Sequence, residues 1–483
     1  MRHVIYTIIA STIIYLAVIA IMGTWLRMSI SVTGSETWRH HFSSVVIAAT
    51  LVWVAWRYRQ KVVHRLLRIC GYLANISTGW WLVGIISFGL ILRIVWILIF
   101  HALPVSDGAT YLMLAKQLSS GQGYHMAGTL AYWPPGYPLF LTPWVWFLGE
   151  SRLAWILPNL ILFCVTALGV WKLATRFLKP GAVKLAVIFI TIWPGYLTLV
   201  ATPEKENLLI GIMPWLIYFW LHTLSGYKTS GFITGLLLGL MALTQPAFLL
   251  LPLVLFIGGV LLRVNFNNLL VSGILLVVGM AIIIGPWTAR NYDVLGIPVI
   301  VSTNGGSGLY RANNPLATGG YTDRGEIDLS GFDEVSGDRE AKRLAIKWIE
   351  THPSEFISLA LRKQLRFLGD DAGGIYTTLR RGLDLDPRLY FVLKTLANII
   401  WVILWFVTLS CILYYWKSRE LYNDLFIITA LVILYFFTLH SVFESDGKYH
   451  QVLWPLFPLL LLSVIQSQLI KPDEVKWTPD SGQ

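Results

Sequence analysis

The run LLVSGILLVVGMAIIIGPW at 269–287 carries no charge and is about as long as a helix needs to be to cross a hydrocarbon core. Runs of this kind recur at roughly 4–22, 43–56, 80–102, 153–173, 183–201, 206–223, 231–246, 247–262, 268–287, 389–416, 423–440 and 451–470. They are continuous, whereas the strands of a membrane barrel alternate apolar and polar residues over short segments. With 56% hydrophobic and 13% charged positions in 483 residues, the chain has too little polar surface for a soluble globule of its size. The expected fold is an all-α polytopic membrane protein with about twelve transmembrane helices and an external soluble insert.

The excess of Lys and Arg lies in short runs at span ends, which orients a membrane protein and argues against nucleic acid as a partner. The most basic run, RYRQKVVHRLLR at 57–68, reads as a cytoplasmic loop, and alternation from it puts the other basic loops inside as well. HVIYTIIASTIIYLAVIAIMG at 3–23 reads as a span, without a cleavage pattern. Cys70, Cys164 and Cys411 lie in or beside spans with no CxxC or His partner, and read as small buried apolar residues. The chain therefore divides into an N-terminal transmembrane pair with its basic loop (1–79) and a transmembrane core (80–287) bearing a first external loop (103–152). An external domain (288–388), C-terminal spans (389–470) and a cytoplasmic tail (471–483) complete it.

The same alternation gathers the unusual polar residues on the other face: Asp107 onward, TPEKEN at 202–207, TQP at 244–246, the segment 288–388 and FESDGKYHQ at 443–451. Isolated acids at span ends point to a shared water-accessible cavity. Asp107 can be read as the N-cap of a helix over 107–118, with Tyr111 and Leu114 on one side, or as a general base at the cavity mouth. WPPGYP at 133–138 stops any helix before Tyr137, so a shaped loop leads into a short surface helix, LFLTPWVWFL. Trp133, Tyr137, Trp144 and Trp146 suit the membrane interface and contact with a lipid tail. Within the insert, a helix capped by Ser336 or Asp338 breaks near Pro353 and resumes; Ala341, Leu344, Ala345, Trp348 and Ile349 share its packing face.

The motifs SDGATYLMLAKQLSSGQGY, WPPGYPLFL, TPEKEN, ALTQPAFLLLP, GPWTARNYDVLG, STNGGSGLYRANNP and GKYHQVLWPLFPLLLL, in this order, resemble the bacterial GT-C glycosyltransferases of the family 39 type. That branch includes protein O-mannosyltransferases and the aminoarabinose transferase of lipid A. The resemblance covers about residues 80–470 and leaves the first two spans outside it. It implies a membrane enzyme that transfers a sugar from a polyprenyl-phosphate donor, such as undecaprenyl phosphate, with inversion. The acceptor would be a glycolipid, a glycan or a protein on the periplasmic or extracellular face of the cytoplasmic (inner) membrane.

By position the resemblance makes Asp107 the catalytic acid and puts the second acidic motif at Glu204 or Glu206. The null hypothesis for these two is a helix start enriched in acids. Arg290, with Asn291, stands where donor phosphate would be held, together with Lys448 and Tyr449, and with Arg362 or Arg366 as further candidates. Tyr111 and Tyr137 belong to the candidate substrate site. Asn313 and Asn314 bind sugar or make turns, with turns preferred. Three departures stand out. Gly108 replaces a second acid, which puts a paired-acid metal site in doubt and leaves a divalent metal open. Lys448 replaces an Arg, keeping the charge without the bidentate fork, and Gln245 replaces a basic residue. Two other classes stay open: a transporter or flippase for a lipid-linked sugar, and an inactive assembly subunit that keeps the fold.

Overall fold

The computed structural model describes residues 2–322, 327–416 and 423–466, and these are helical throughout, apart from loops and an isolated Met126–Thr129 bridge. Among the described residues seven helices are long and apolar enough to cross a membrane: α1 (Arg2–Thr33), α3 (Thr78–Ile99), α6 (Leu153–Phe177), α9 (Glu206–Leu224), α12 (Phe266–Leu295), α17 (Pro387–Tyr415) and α18 (Asp424–Val442). The 3₁₀ segment Gly447–Leu453 and α19 (Leu456–Gln466) meet at 57° and together make a further apolar pair, a broken span or a re-entrant loop. Pro455, which has no N–H to continue the ladder, sits at that bend. The chain is thus a polytopic helical membrane protein.

Each of the twelve expected spans falls on helix, but several do so differently. α2 (Trp38–Ala74) is one continuous helix, and the basic run 57–68, expected as a loop, forms its second half. Arg and Lys are good helix formers, and nothing in that run breaks the ladder. The span expected at 183–201 splits at Pro194 into α7 (Pro180–Ile192) and α8 (Pro194–Leu199). The spans expected at 231–246 and 247–262 are α10 (Thr229–Thr244) and a shorter pair, Pro246–Phe248 with α11 (Leu251–Leu261), so the TQP motif marks the break between them. Residues 417–422, in the loop expected inside, the last four residues of the span expected at 451–470 and the tail expected at 471–483 lie outside the described residues.

α3 lies at the edge of the bundle, with half of its apolar side chains exposed and Gly89, Arg93 and Ile97 buried at a four-residue spacing. Arg93, fully buried, sits 3.6 Å over the ring of Phe163 and donates to the carbonyl oxygens of Thr191 at 3.0 Å and Gly89 at 3.2 Å. Its apolar stripe can therefore face lipid while the cation stays out of it.

Between the spans, α4 (Asp107–Ser119) and α5 (Gly136–Leu148) pack on each other, and α5 also contacts α6 and α10. α5 leaves Trp146 and Phe147 exposed, as expected of a helix lying at the interface, but Tyr137 is buried, not lipid-facing. Gly136 makes the contact with α10: a Cβ there would lie 2.4 Å from Thr244 Oγ1 and 2.5 Å from its backbone nitrogen. Gly136→Ala is expected to cost about 1–3 kcal/mol through overpacking and to lower the unfolding midpoint in detergent. In the insert, α13 (Gly305–Ala312), α14 (Glu334–Thr351) and α15 (Pro353–Phe367) follow one another. α14 is capped by Asp333, three residues before Ser336 and five before Asp338, and the Asp333 Oδ1 accepts from Val335 and Ser336 at 3.0 Å.

Candidate active site

Three separated segments meet at Lys448. The first is the start of α4. Ser106 takes a left-handed backbone, φ 53°, which turns the chain out of α3 and starts α4 at Asp107. Asp107 does not cap its own helix; its Oδ2 accepts a hydrogen bond from Lys448 Nζ at 2.7 Å. The second is the loop 199–205, held by side chains that satisfy its carbonyl groups. Trp155 Nε1 donates to Ala201, Asn159 Nδ2 to Val200 and Thr202, and Asn207 Nδ2 to Leu199, Thr202 and Glu204. This fixes Glu204, whose Oε2 lies 3.4 Å from Lys448 Nζ. The third is the 3₁₀ segment Gly447–Leu453, which carries Lys448 itself.

Gly108 explains how closely the first two segments approach. A Cβ there would lie 3.1 Å from Pro203 Cγ and 3.3 Å from Pro203 O, so a second acid at this position would press on the loop that carries Glu204. Among the described residues no three His, Cys, Asp or Glu side chains are arranged to hold a metal ion, and the Lys448 ammonium stands between the two nearest acids.

The two carboxylates feel opposite environments. Asp107 is one-third exposed, and the Lys448 ammonium pulls its carboxyl down to about 2 against the opposing effect of burial, with Lys205 and Arg381 adding to the pull. Glu204 is 6% exposed, and burial raises its carboxyl above the ordinary range although Lys448 works the other way. Two acids with pKa values pushed apart form an arrangement in which one stays a carboxylate while the other exchanges a proton. Burial keeps the Tyr111 phenol protonated, its ring edge-on to Tyr137 at 5.4 Å and Trp133 at 5.9 Å. The Tyr137 hydroxyl and Glu206 Oε2 are buried without a hydrogen-bond partner among the protein groups.

Two cations escaped the sequence reading. Lys205 lies between the two acids of TPEKEN. Arg381 ends a π-helical turn, Thr377–Arg381, tied to the Glu204 loop by Thr378 Oγ1 to the Thr198 carbonyl at 3.2 Å and by Thr202 Oγ1 to Thr377 Oγ1 at 3.3 Å. Arg381 is exposed on the acid side of that turn. No sequence pattern marks a π-turn, a feature often found at functional sites.

The remaining expected residues lie elsewhere. Arg290 donates to the carbonyl oxygens of Leu130 at 2.6 Å and Tyr124 at 2.8 Å, has Trp287 as a cation–π partner at 4.8 Å, and so holds the loop between α4 and α5. Asn291 donates to Val299 O and accepts from Arg290. Asn313 ties Leu309 to Val442 and accepts from Lys363 Nζ at 2.9 Å, while Asn314 closes a turn to Tyr310 and Leu316. Tyr449, beside Lys448, donates to Glu444, which pairs with Arg311 at 3.3 Å.

Glu334 works with Arg290. Its carboxylate accepts from the backbone nitrogens of Leu130 at 2.6 Å and Ala131 at 2.8 Å and from Thr303 Oγ1 at 2.6 Å. The segment 288–388 thereby grips the loop that leads into WPPGYP. Glu334→Gln is expected to weaken that grip by about 2 kcal/mol, the worth of a hydrogen bond to a charged group. Faster amide exchange confined to 124–132 and 303–306 is the corresponding observation. A separate groove of about 710 Å³ between α11 and α12 is lined by Leu250, Leu253, Val277, Ile284 and Tyr292 and contains none of the acids.

No family model matches this chain, and no curated protein matches it. Among solved structures it is similar to the oligosaccharyltransferase of Archaeoglobus fulgidus in complex with zinc and sulfate, with 14% identity over 80% of this chain and 49% of that one and a TM-score of 0.47. The same enzyme tethered to an acceptor peptide containing the NVT sequon gives 14% identity, 80% and 50% coverage and a TM-score of 0.47. ArnT from Cupriavidus metallidurans bound to undecaprenyl phosphate gives 14% identity, 81% and 78% coverage and a TM-score of 0.42. The chain spans about half the length of the archaeal enzyme it matches. At these identities and scores the likeness assigns this chain neither an activity nor a ligand.

Proposed function

We propose that this chain is a membrane glycosyltransferase that moves a sugar from a polyprenyl-phosphate donor to a hydroxyl acceptor, on the membrane face where Asp107 opens to water. The observation that carries the reading is the Lys448 ammonium bracketed by Asp107 and Glu204 in a partly open cleft at the ends of apolar helices. The ordered motifs shared with GT-C transferases support it. The apolar groove beside α12 offers a surface for a prenyl tail.

The donor phosphate competes with the two carboxylates for Lys448, with Arg381 and Lys205 as further cations near the acids. As the bond from C1 to the phosphate oxygen breaks, these cations stabilise the charge gathering on the leaving phosphate. Lys448, turned toward phosphate, releases Asp107, whose carboxyl it had held down to about 2, so the base gains proton affinity when it is needed. Asp107 takes the proton of the acceptor hydroxyl as its oxygen bonds to C1 from the opposite face, which inverts the centre.

The test is sugar release from a panel of radiolabelled polyprenyl-phosphate sugars by wild-type protein and Asp107→Asn, with membrane extracts supplying acceptor. Donor bound but cleaved by neither protein with any extract would favour a transporter or an inactive relative. The pH profile adds an independent check. In kcat/KM, which reports the free enzyme, Asp107 is held at about 2 by Lys448 and contributes no limb in the working range, whereas Glu204 is raised by burial. An acid limb above the ordinary carboxylate range is expected, and Glu204→Gln is expected to remove it.

A further inference from the structure

α1 lies outside the transferase-like motifs, which begin near residue 80, yet its last turns reach the segment that carries Lys448. Gly23 permits the approach. A Cβ there would lie 2.2 Å from Leu365 O and 3.0 Å from Gly369 Cα, so the helix backbone rests directly on the end of α15 and the residues after it. One turn on, Arg27 donates from Nη2 to Asp446 Oδ1 at 3.0 Å. The same oxygen accepts the Gly447 N–H at 2.8 Å, and the Asp446 carbonyl oxygen accepts from the Tyr449 N–H at 3.0 Å. Asp446 therefore caps the 3₁₀ segment Gly447–Leu453, two residues before Lys448. A further turn along α1, Ser31 Oγ accepts from Lys394 Nζ at 3.2 Å, and that ammonium pairs with Asp370 at 2.8 Å. The Asp370 carbonyl oxygen meets the same 3₁₀ segment, since a Cβ on Gly447 would lie 2.0 Å from it. Gly23, Arg27 and Ser31, four residues apart, thus turn one face of α1 toward the structure that holds Lys448.

We infer that Arg27 is a positioning residue for Lys448, acting through the Asp446 cap, and that α1 is thereby a working part of the candidate active site. This role rests on the reading of Lys448 as the cation that takes the donor phosphate. A lysine is a point charge on a flexible stem, so where its ammonium rests between Asp107 and Glu204 depends on where its backbone is held. The first N–H groups of a helical turn have no partner within it, so the cap fixes where the turn starts. Arg27 fixes the cap in turn, and its guanidinium stays charged at any working pH. The ion pair itself adds little to stability, because the Arg27 and Asp446 side chains are 27% and 40% exposed. Backbone packing at Gly23 keeps α1 in place without it. A fault in position is therefore separable from a fault in folding.

The test needs no substrate in its first part. Wild-type protein, Arg27→Met, Arg27→Lys, Asp446→Ala and the double variant Arg27→Met/Asp446→Ala are treated with a water-soluble acetylating reagent and read by peptide mass spectrometry. Lys363, fully buried and bonded to Asn313 and Val442, reports any loosening of the fold. Arg27→Met and Asp446→Ala are each expected to raise acetylation of Lys448 severalfold while Lys363 stays as unreactive as in the wild type. Arg27→Lys is expected to return Lys448 most of the way, and the double variant to match Asp446→Ala, since both changes act on one contact. Lys448 labelling at the wild-type rate in Arg27→Met overturns the inference. Lys363 labelling that rises in step with Lys448 overturns it too, because the pair would then be a prop of the whole fold. In the second part, Arg27→Met is expected to lower kcat at saturating donor about tenfold with the acceptor KM unchanged, which corresponds to about 1.4 kcal/mol in the barrier. A kcat equal to the wild type's overturns the positioning role. Lys448 labelling as expected, with no turnover by the wild type on any donor, would sink the transferase reading and leave the hold of Arg27 on the Lys448 turn standing.

Discussion

Asp107→Asn is expected to lower sugar transfer by about 10²–10⁴-fold, the range that a positioned general base contributes. The amide is the same size as the carboxylate and its oxygen can still accept from Lys448, so the bracket around Nζ keeps its shape. What it loses is the ability to take a proton from the acceptor. Donor affinity should fall little or even rise, because the phosphate no longer competes with a full negative charge for Lys448. A fall in turnover with donor binding retained therefore separates a catalytic Asp107 from a structural one. An acceptor that attacks as an already ionised phosphate would escape the loss, since it needs no base. Running the variant against hydroxyl and phosphate acceptors therefore tells these two acceptor classes apart.

The spans were legible because a bilayer demands long uninterrupted apolar runs, and those survive in the sequence whatever the packing. Their ends and breaks were less so. The helical extension of α2 through 57–68 was hidden because a basic run at a span end has the same composition whether it is loop or amphipathic helix. At the site, Asp107, Glu204 and Lys448 were all singled out, since isolated charges at span ends are rare enough to notice, and the structure brings these three within hydrogen-bond or ion-pair reach. Arg290 stands out for the same reason, yet its guanidinium holds backbone carbonyls of the loop between α4 and α5. Sequence can mark an unusual charge but cannot say whether its partner is a ligand or the chain itself. Arg27 went unread for the opposite reason: its meaning lies in a contact with Asp446, 419 positions away. Glu334 likewise looks like an ordinary acid in a helix's first turn until Leu130 and Ala131 are seen to donate to it.

Lys448→Met is expected to do more damage than the loss of one contact. It removes the only ammonium hydrogen-bonded to Asp107 and Glu204 among the described residues and leaves Glu206 nearby as well, so three acids face one another across a partly buried cleft. Without the ammonium, Asp107 and Glu204 are each favoured in the protonated form. Asp107, whose low value is set first by Lys448, should rise toward or above the ordinary carboxylate range, and Glu204, already raised by burial, should rise further. The sign of the stability change follows. In the wild type the depressed Asp107 carboxyl stabilises the fold above the ordinary carboxylate range, and this contribution is lost only as pH falls toward about 2. In Lys448→Met that contribution is absent, and the variant should be least stable relative to wild type at neutral pH, with the gap closing in acid as the acids take up protons. A gap that widened in acid would mean that the carboxylates are not coupled to Lys448. Turnover should be lost with donor binding, because the cleft now repels phosphate. Lys448→Arg is the matched control. It restores the charge with a fork suited to phosphate, and is expected to recover donor binding and a measurable share of turnover, limited by how well the wider guanidinium fits between Asp107 and Glu204.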